Sequence, residues 1–70
     1  METVEVTSST IREVKYDLAK EELIITFKNN AQYLYEGVPP EVFKGLISAD
    51  SVGRYFDKEI KYTYNFKRLG

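Results

Sequence analysis

Seventy residues, 43% of them apolar and 30% charged, suffice for one small globular domain spanning residues 1–70 and are too apolar for a disordered chain. The net charge of −1 conceals an asymmetry, because residues 1–53 carry −4 and residues 54–70 carry +3. Without Cys or His there is no disulfide, zinc–thiolate site, Ser–His nucleophile or histidine base.

In chain order, residues 1–10 are polar with interleaved β-branched residues. Val4 and Val6 have the spacing of a short edge strand, and Thr7-Ser8-Ser9-Thr10 reads as an irregular lead-in. The Glu2-Thr3-Val4-Glu5 start lacks the basic and apolar regions of a secretory leader. No apolar run approaches the roughly 20 residues of a membrane span, so the expected location is the cytoplasm. The first main strand is read over residues 11–16, with Val14 and Tyr16 on one face. Residues 22–28 form the strongest strand pattern, with Leu23, Ile25 and Phe27 sharing a face, and residues 31–36 form the third strand.

Two loops between the second and third strands fit the sequence. A two-residue Asn29-Asn30 turn pairs Ile25 with Leu34 and sends Tyr33 and Tyr35 to the face opposite Leu23. A three-residue Lys28-Asn29-Asn30 loop with a left-handed Asn30 pairs Ile25 with Tyr33 and brings the tyrosines onto the core face. The second is favoured, because it leaves Ile24 and Leu34 outside instead of two tyrosines.

Gly37-Val38-Pro39-Pro40 ends the sheet, and Val42, Phe43, Leu46 and Ile47 form a helical stripe over residues 40–47. A second helix is read over residues 51–60, capped by Asp50 or Ser51, with Tyr55, Phe56 and Ile60 inward. Residues 61–70 alternate Tyr62, Tyr64 and Phe66 with polar residues, the pattern of an extended segment: a further strand or a strap over the helices. The expected fold is α+β, a three-stranded antiparallel meander followed by two short helices and an extended C-terminal tail.

No glycine-rich phosphate loop, calcium loop or spaced metal cluster is present, so no cofactor, metal or catalytic residue is expected. The constellation with binding chemistry is basic and aromatic. Arg54, Lys58, Lys61, Lys67 and Arg68 are set to contact phosphates, and Tyr62 to stack on a base. The competing reading makes these lysines solvated and these rings clamps for the tail.

Several motifs together resemble the KTSC domain. They are Ser8-Ser9-x-Ile11 and Tyr16-Asp17, then Leu23-x-Ile25-x-Phe27-x-x-Asn30-x-x-Tyr33-x-Tyr35 with Gly37-Val38-Pro39, then Val42-Phe43-x-x-Leu46 and Ala49-x-Ser51-x-Gly53-x-Tyr55-Phe56-x-x-x-Ile60. The resemblance covers roughly residues 6–69. It implies a small domain found alone in bacteria and phages or at the C-terminus of some bacterial lysyl-tRNA synthetases. RNA binding is implied by the synthetase context and the central Tyr33-Leu34-Tyr35. Asn30 stands where the family usually has Gly, which supports a left-handed loop residue. Tyr62 and Asn65 stand where its tail often has Gly and Pro. The expected function is a non-catalytic module binding transfer or single-stranded RNA through the second helix and tail. The alternative is a protein-interaction module or homodimer using Ile24 and Leu34, or an edge strand.

Overall fold

The computed structural model describes residues 1–70 as an antiparallel sheet with helices packed on one face. Five strands follow one another in space as in sequence: β1 (Glu2–Glu5), β2 (Ile11–Asp17), β3 (Glu22–Phe27), β4 (Gln32–Tyr35) and β5 (Phe66–Arg68). Between β4 and β5 lie α1 (Pro40–Ser48) and α2 (Val52–Tyr55), the latter continuing as a π-helical turn over Phe56–Ile60.

The α+β class stands, and the three-strand count is corrected to five. β1 adds only Val4 to the covered face, opposite Val14. Its spacing reads as a short edge strand from Val4 and Val6, and backbone pairing with the free edge of β2 makes residues 2–5 that strand. β5 forms because the tail returns to the edge of β4. There Tyr35 pairs with Phe66, the Leu69 N–H donates to the Gln32 carbonyl at 2.7 Å, and the Glu36 N–H donates to the Asn65 carbonyl at 2.9 Å. Both additions are edge strands, whose partners lie far away in sequence or whose pattern is mostly polar.

The hairpin adopts the three-residue loop. Ile25 faces Tyr33, the Phe27 N–H donates to the Ala31 carbonyl at 2.9 Å, and Asn30 is left-handed at φ 71°. One residue of register decides which face all of β4 presents. Here it sends Tyr33 and Tyr35 to the helix side. A second irregularity acts on β2. Strict alternation from Val14 and Tyr16 would put Ile11 on the uncovered face. A bulge between Ile11 and Glu13 returns Ile11 to the core, where it is fully buried.

Twelve buried apolar side chains form one cluster: Ile11, Val14, Tyr16, Leu23, Ile25, Tyr35 and Val38 from the sheet and its exit, Phe43, Leu46, Val52, Phe56 and Ile60 from the helices. Tyr16 and Phe43 stack at 4.6 Å and 9°, joining the sheet to α1. The Tyr16 hydroxyl donates to the Val38 carbonyl at 2.6 Å. Pro40 occupies the first turn of α1, where its missing N–H costs no bond. Ser51 caps α2 by accepting from the Arg54 N–H at 3.3 Å. Gly45 lets α2 approach α1, since a Cβ there would collide with the Tyr55 ring.

Candidate nucleic-acid interface

A groove of about 600 Å³ opens where the β3–β4 hairpin meets the π-helical turn. Its lining includes Phe27, Tyr33, Tyr35 and Phe56, with Ser9 and Thr10 on one lip and Lys28, Asp57 and Lys61 among its polar groups. The volume lies within the range of small-ligand sites.

Three local devices build this groove. The Ser8 Oγ accepts from the Thr10 and Ile11 N–H groups, each at 3.2 Å, which fixes the lip. The Lys28 N–H donates to the Thr10 carbonyl at 2.8 Å, and Arg12 donates to the Asn30 side chain, so the hairpin loop is tied to that lip. The π-helical turn closes with the Lys61 N–H donating to the Phe56 carbonyl at 2.9 Å, five residues back. Phe56 and Ile60, four apart, stay in the core, while Asp57 and Lys61, also four apart, both line the groove.

The aromatic floor is one connected lattice. Phe27 meets Tyr33 and Phe56 edge to face at 5.8 and 5.6 Å, and Tyr35 meets Phe56 at 5.4 Å. From β5, Phe66 tilts against Tyr33 at 5.5 Å and Tyr35 at 5.7 Å, and the Arg68 guanidinium lies 5.8 Å from the Tyr33 ring centre.

Tyr16 and Tyr35 are equally buried, each 3% exposed, and differ in one respect. The Tyr16 hydroxyl is bonded inside the protein, whereas the Tyr35 hydroxyl has no protein partner and its residue lines the groove. Burial, then the neighbouring Tyr33 and Asp57, pushes the Tyr35 pKa up to about 12. The charges beside it are also free of protein partners, because the one ion pair in the molecule joins Glu13 and Lys15, at 3.9 Å on the far side of the sheet.

A second hollow of about 480 Å³ adjoins the groove and shares Ser9, Thr10 and Asp57 with it. It is lined by hydroxyl residues of the Thr7–Thr10 segment, by Asp50 and Ser51, and by Arg54.

The basic residues singled out from sequence do not form one patch. Lys61 lines the groove and Arg68 reaches the Tyr33 ring beside it. Arg54 belongs to the second hollow, and Lys58 is exposed and lines neither. Lys67 sits opposite Leu34 on the uncovered side of the sheet. Tyr62 is 86% exposed, with the Lys61 ammonium 5.4 Å from its ring centre. Ile24 and Leu34 face each other across β3 and β4, both half-buried, on the side without helices. Nothing in the sequence singles out Lys28, Asp57, Ser9 and Thr10 as site residues, and Tyr33 and Tyr35, expected mainly in the core, join them in the groove. The joint motif did contain Ser9, Tyr33 and Tyr35, and that was the available signal. No group of three or more metal-ligating side chains is present, and no helix is long and apolar enough to cross a membrane.

The KTSC domain model matches residues 7–64. An uncharacterized protein of Stutzerimonas stutzeri is 43% identical over 61 residues, covering 87% of this chain and 86% of that protein. A lysine–tRNA ligase of Nostoc punctiforme is 36% identical over 61 residues, which are 87% of this chain and 11% of the ligase. The crystal structure of a KTSC domain protein from Yersinia pestis superposes with a TM-score of 0.93 at 35% identity, covering 99% of this chain and 97% of that one. The chain belongs to the KTSC domain family.

Proposed function

We propose that this KTSC domain is a cytoplasmic, non-catalytic module that binds single-stranded RNA, or the unpaired parts of a transfer RNA, at the aromatic groove. The observation that carries this reading is the join of a ring floor, Phe27, Tyr33 and Tyr35, to cations without an ion-pair partner, Lys28, Lys61 and Arg68. Single strands are held by such pairings: cations follow the phosphates, and unstacked bases lie against rings for about 1–3 kcal/mol each. The similarity to a segment of a lysine–tRNA ligase places a related domain inside a protein that handles transfer RNA. Turnover is not assigned: the chain carries no His or Cys, and Asp57 is the one carboxylate lining the groove.

Relative to the sequence reading, the contact surface moves from helix and tail to the groove. Lys61 lines the groove, Arg54 the second hollow, and Arg68 lies against the Tyr33 ring, while the exposed Tyr62 beside Lys61 is an accessory stacking ring. The test is an amide-shift titration with short single-stranded RNAs and with transfer RNA over a range of salt. Shifts should centre on Lys28, Asn29, Tyr33 and Lys61, with affinity falling steeply as salt rises. Absence of binding at low salt overturns the proposal.

A second reading uses the face without helices, where Ile24 and Leu34 are half-buried and uncovered. It makes the protein an interaction module or a homodimer through that face. A dimer in sedimentation that Leu34→Asp dissociates, with the fold intact, is its expected sign; a monomer at high concentration removes the homodimer.

A further inference from the structure

We infer that β5 is a displaceable strap that keeps part of the ring floor covered, and that opening it enlarges the surface offered to RNA. The ligand rests on the RNA reading; the strap rests on how β5 is held. Phe66 lies tilted against Tyr33 and Tyr35 at once, with ring centres 5.5 and 5.7 Å away and planes 31° and 38° apart. Tyr33 and Tyr35 line the groove, and Phe66 does not. The same two rings therefore serve the groove and carry the strap. Phe66 makes against them the kind of ring contact that a further base would make.

The hold on β5 is light. Phe66, Lys67 and Arg68 are all exposed, and none belongs to the buried cluster. No side-chain hydrogen bond or ion pair reaches residues 65–70. Apart from the Phe66 and Arg68 contacts to rings, the ties are backbone bonds along the edge of β4. The Glu36 N–H donates to the Asn65 carbonyl at 2.9 Å, the Leu69 N–H to the Gln32 carbonyl at 2.7 Å, and the Gln32 N–H to the Gly70 carbonyl at 3.0 Å. Exposed backbone bonds with little buried apolar surface mark a segment that opens at low free energy. The anchored chain ends just before it. Tyr64 packs against the core, and the Thr63 and Tyr64 N–H groups both donate to the Ile60 carbonyl, at 3.1 and 3.3 Å. Opening thus pivots at Asn65, leaves the core intact, and bares the ring surfaces under Phe66 together with the edge of β4.

The test compares the parent with Phe66→Ala and Phe66→Tyr, by amide hydrogen exchange and by titration with oligouridylate and oligoadenylate strands at one low salt concentration. Phe66 is 53% exposed, so both variants should fold. Both keep Lys67 and Arg68, so a change in affinity reads the ring cover and not the charge. In the parent, the Gln32, Glu36 and Leu69 amides should exchange faster than those of β3. In Phe66→Ala they should exchange faster still, with β3 unchanged. Phe66→Ala should bind RNA several-fold more tightly than the parent, and Phe66→Tyr should bind like the parent. Affinity that is unchanged or lower in Phe66→Ala overturns the strap and leaves the RNA function standing, as do strap amides that exchange as slowly as those of β3. RNA binding by Phe66→Ala alone supports both, and no binding by any of the three proteins overturns both.

Discussion

The two faces of the sheet are made by the same strands and have opposite characters. Towards the helices, Ile11, Val14, Tyr16, Leu23, Ile25 and Tyr35 are all buried. On the other side, Glu13, Lys15, Ile24 and Leu34 remain half-exposed, and Thr26 is covered through its bond from the Gln32 amide at 3.2 Å. Strand alternation puts Glu5, Glu13, Asp17 and Glu22 on the uncovered face against Lys15 and Lys67, so that face is acidic overall. Lys28, Lys61 and Arg68, by contrast, border the ring floor at one end of the covered side. The charge asymmetry along the chain is thus an imperfect image of an asymmetry in space. Lys67 belongs to the basic end in sequence and to the acidic face in the fold, and Lys28 is the reverse case.

The largest effect should separate the faces by stability. Leu23→Ala removes a fully buried side chain and should cost about 2–5 kcal/mol in urea unfolding. Ile24→Ala, one residue away and half-buried, should cost about 1 kcal/mol or less. Equal losses would mean that the second face is also covered in solution, as the interaction reading requires.

The two buried tyrosines sharpen the same contrast. Tyr16→Phe strands the Val38 carbonyl and should destabilise by about 1–3 kcal/mol. Tyr35→Phe breaks no internal hydrogen bond, so it should be nearly neutral in thermal unfolding and visible only in binding.

RNA affinity measured against salt gives the next contrast. Lys28→Ala with Lys61→Ala should reduce the slope of log affinity against log salt by about two, one per lost phosphate contact. Lys15→Ala with Lys67→Ala should leave that slope unchanged, since both lie on the other face.

The smallest effect is alkaline. Tyr35 is raised to about 12, above an unfolded value near 10, so the folded state holds this proton more tightly. That preference contributes in full below about pH 10 and is lost as pH rises from there through about 12. Tyr16 and Tyr55 are also raised, both chiefly by burial, and act in the same direction. An ultraviolet titration should find Tyr16, Tyr35 and Tyr55 ionising above the ordinary tyrosine range, and Tyr35→Phe should lose less stability than the parent between pH 10 and 12.

The groove is not written locally in the sequence. Arg54, Lys58 and Lys61 lie on one helical run, and helical spacing invites their grouping. The turn after Tyr55 winds wider than an α-helix, and the three diverge to the second hollow, solvent and the groove. Ser9, Thr10 and Lys28 carry no motif of their own for chemistry. Their role comes from a backbone bond between Lys28 and Thr10, eighteen positions apart, which no local pattern encodes.

By itself the sequence determined the central hairpin and favoured the register it adopts. Asn30 tolerates the left-handed region, and the alternative turn would have exposed two tyrosines in place of Ile24 and Leu34. It also determined the two helical stretches, through Pro40, Ser51 and the apolar stripe ending at Leu46 and Ile47, and it ruled out the histidine and cysteine chemistries. Only the tertiary structure decided that Ile11 is core, that both chain ends become edge strands, and that Tyr35 keeps an unpartnered hydroxyl where Tyr16 does not. Each of these depends on a backbone or side-chain partner brought close by folding: the bulge against β3, the free edges of β2 and β4, and the Val38 carbonyl. Alternation and propensity are local and survive in the sequence. Hydrogen-bond partners from distant strands are not local, and they decide which groups are left free to bind.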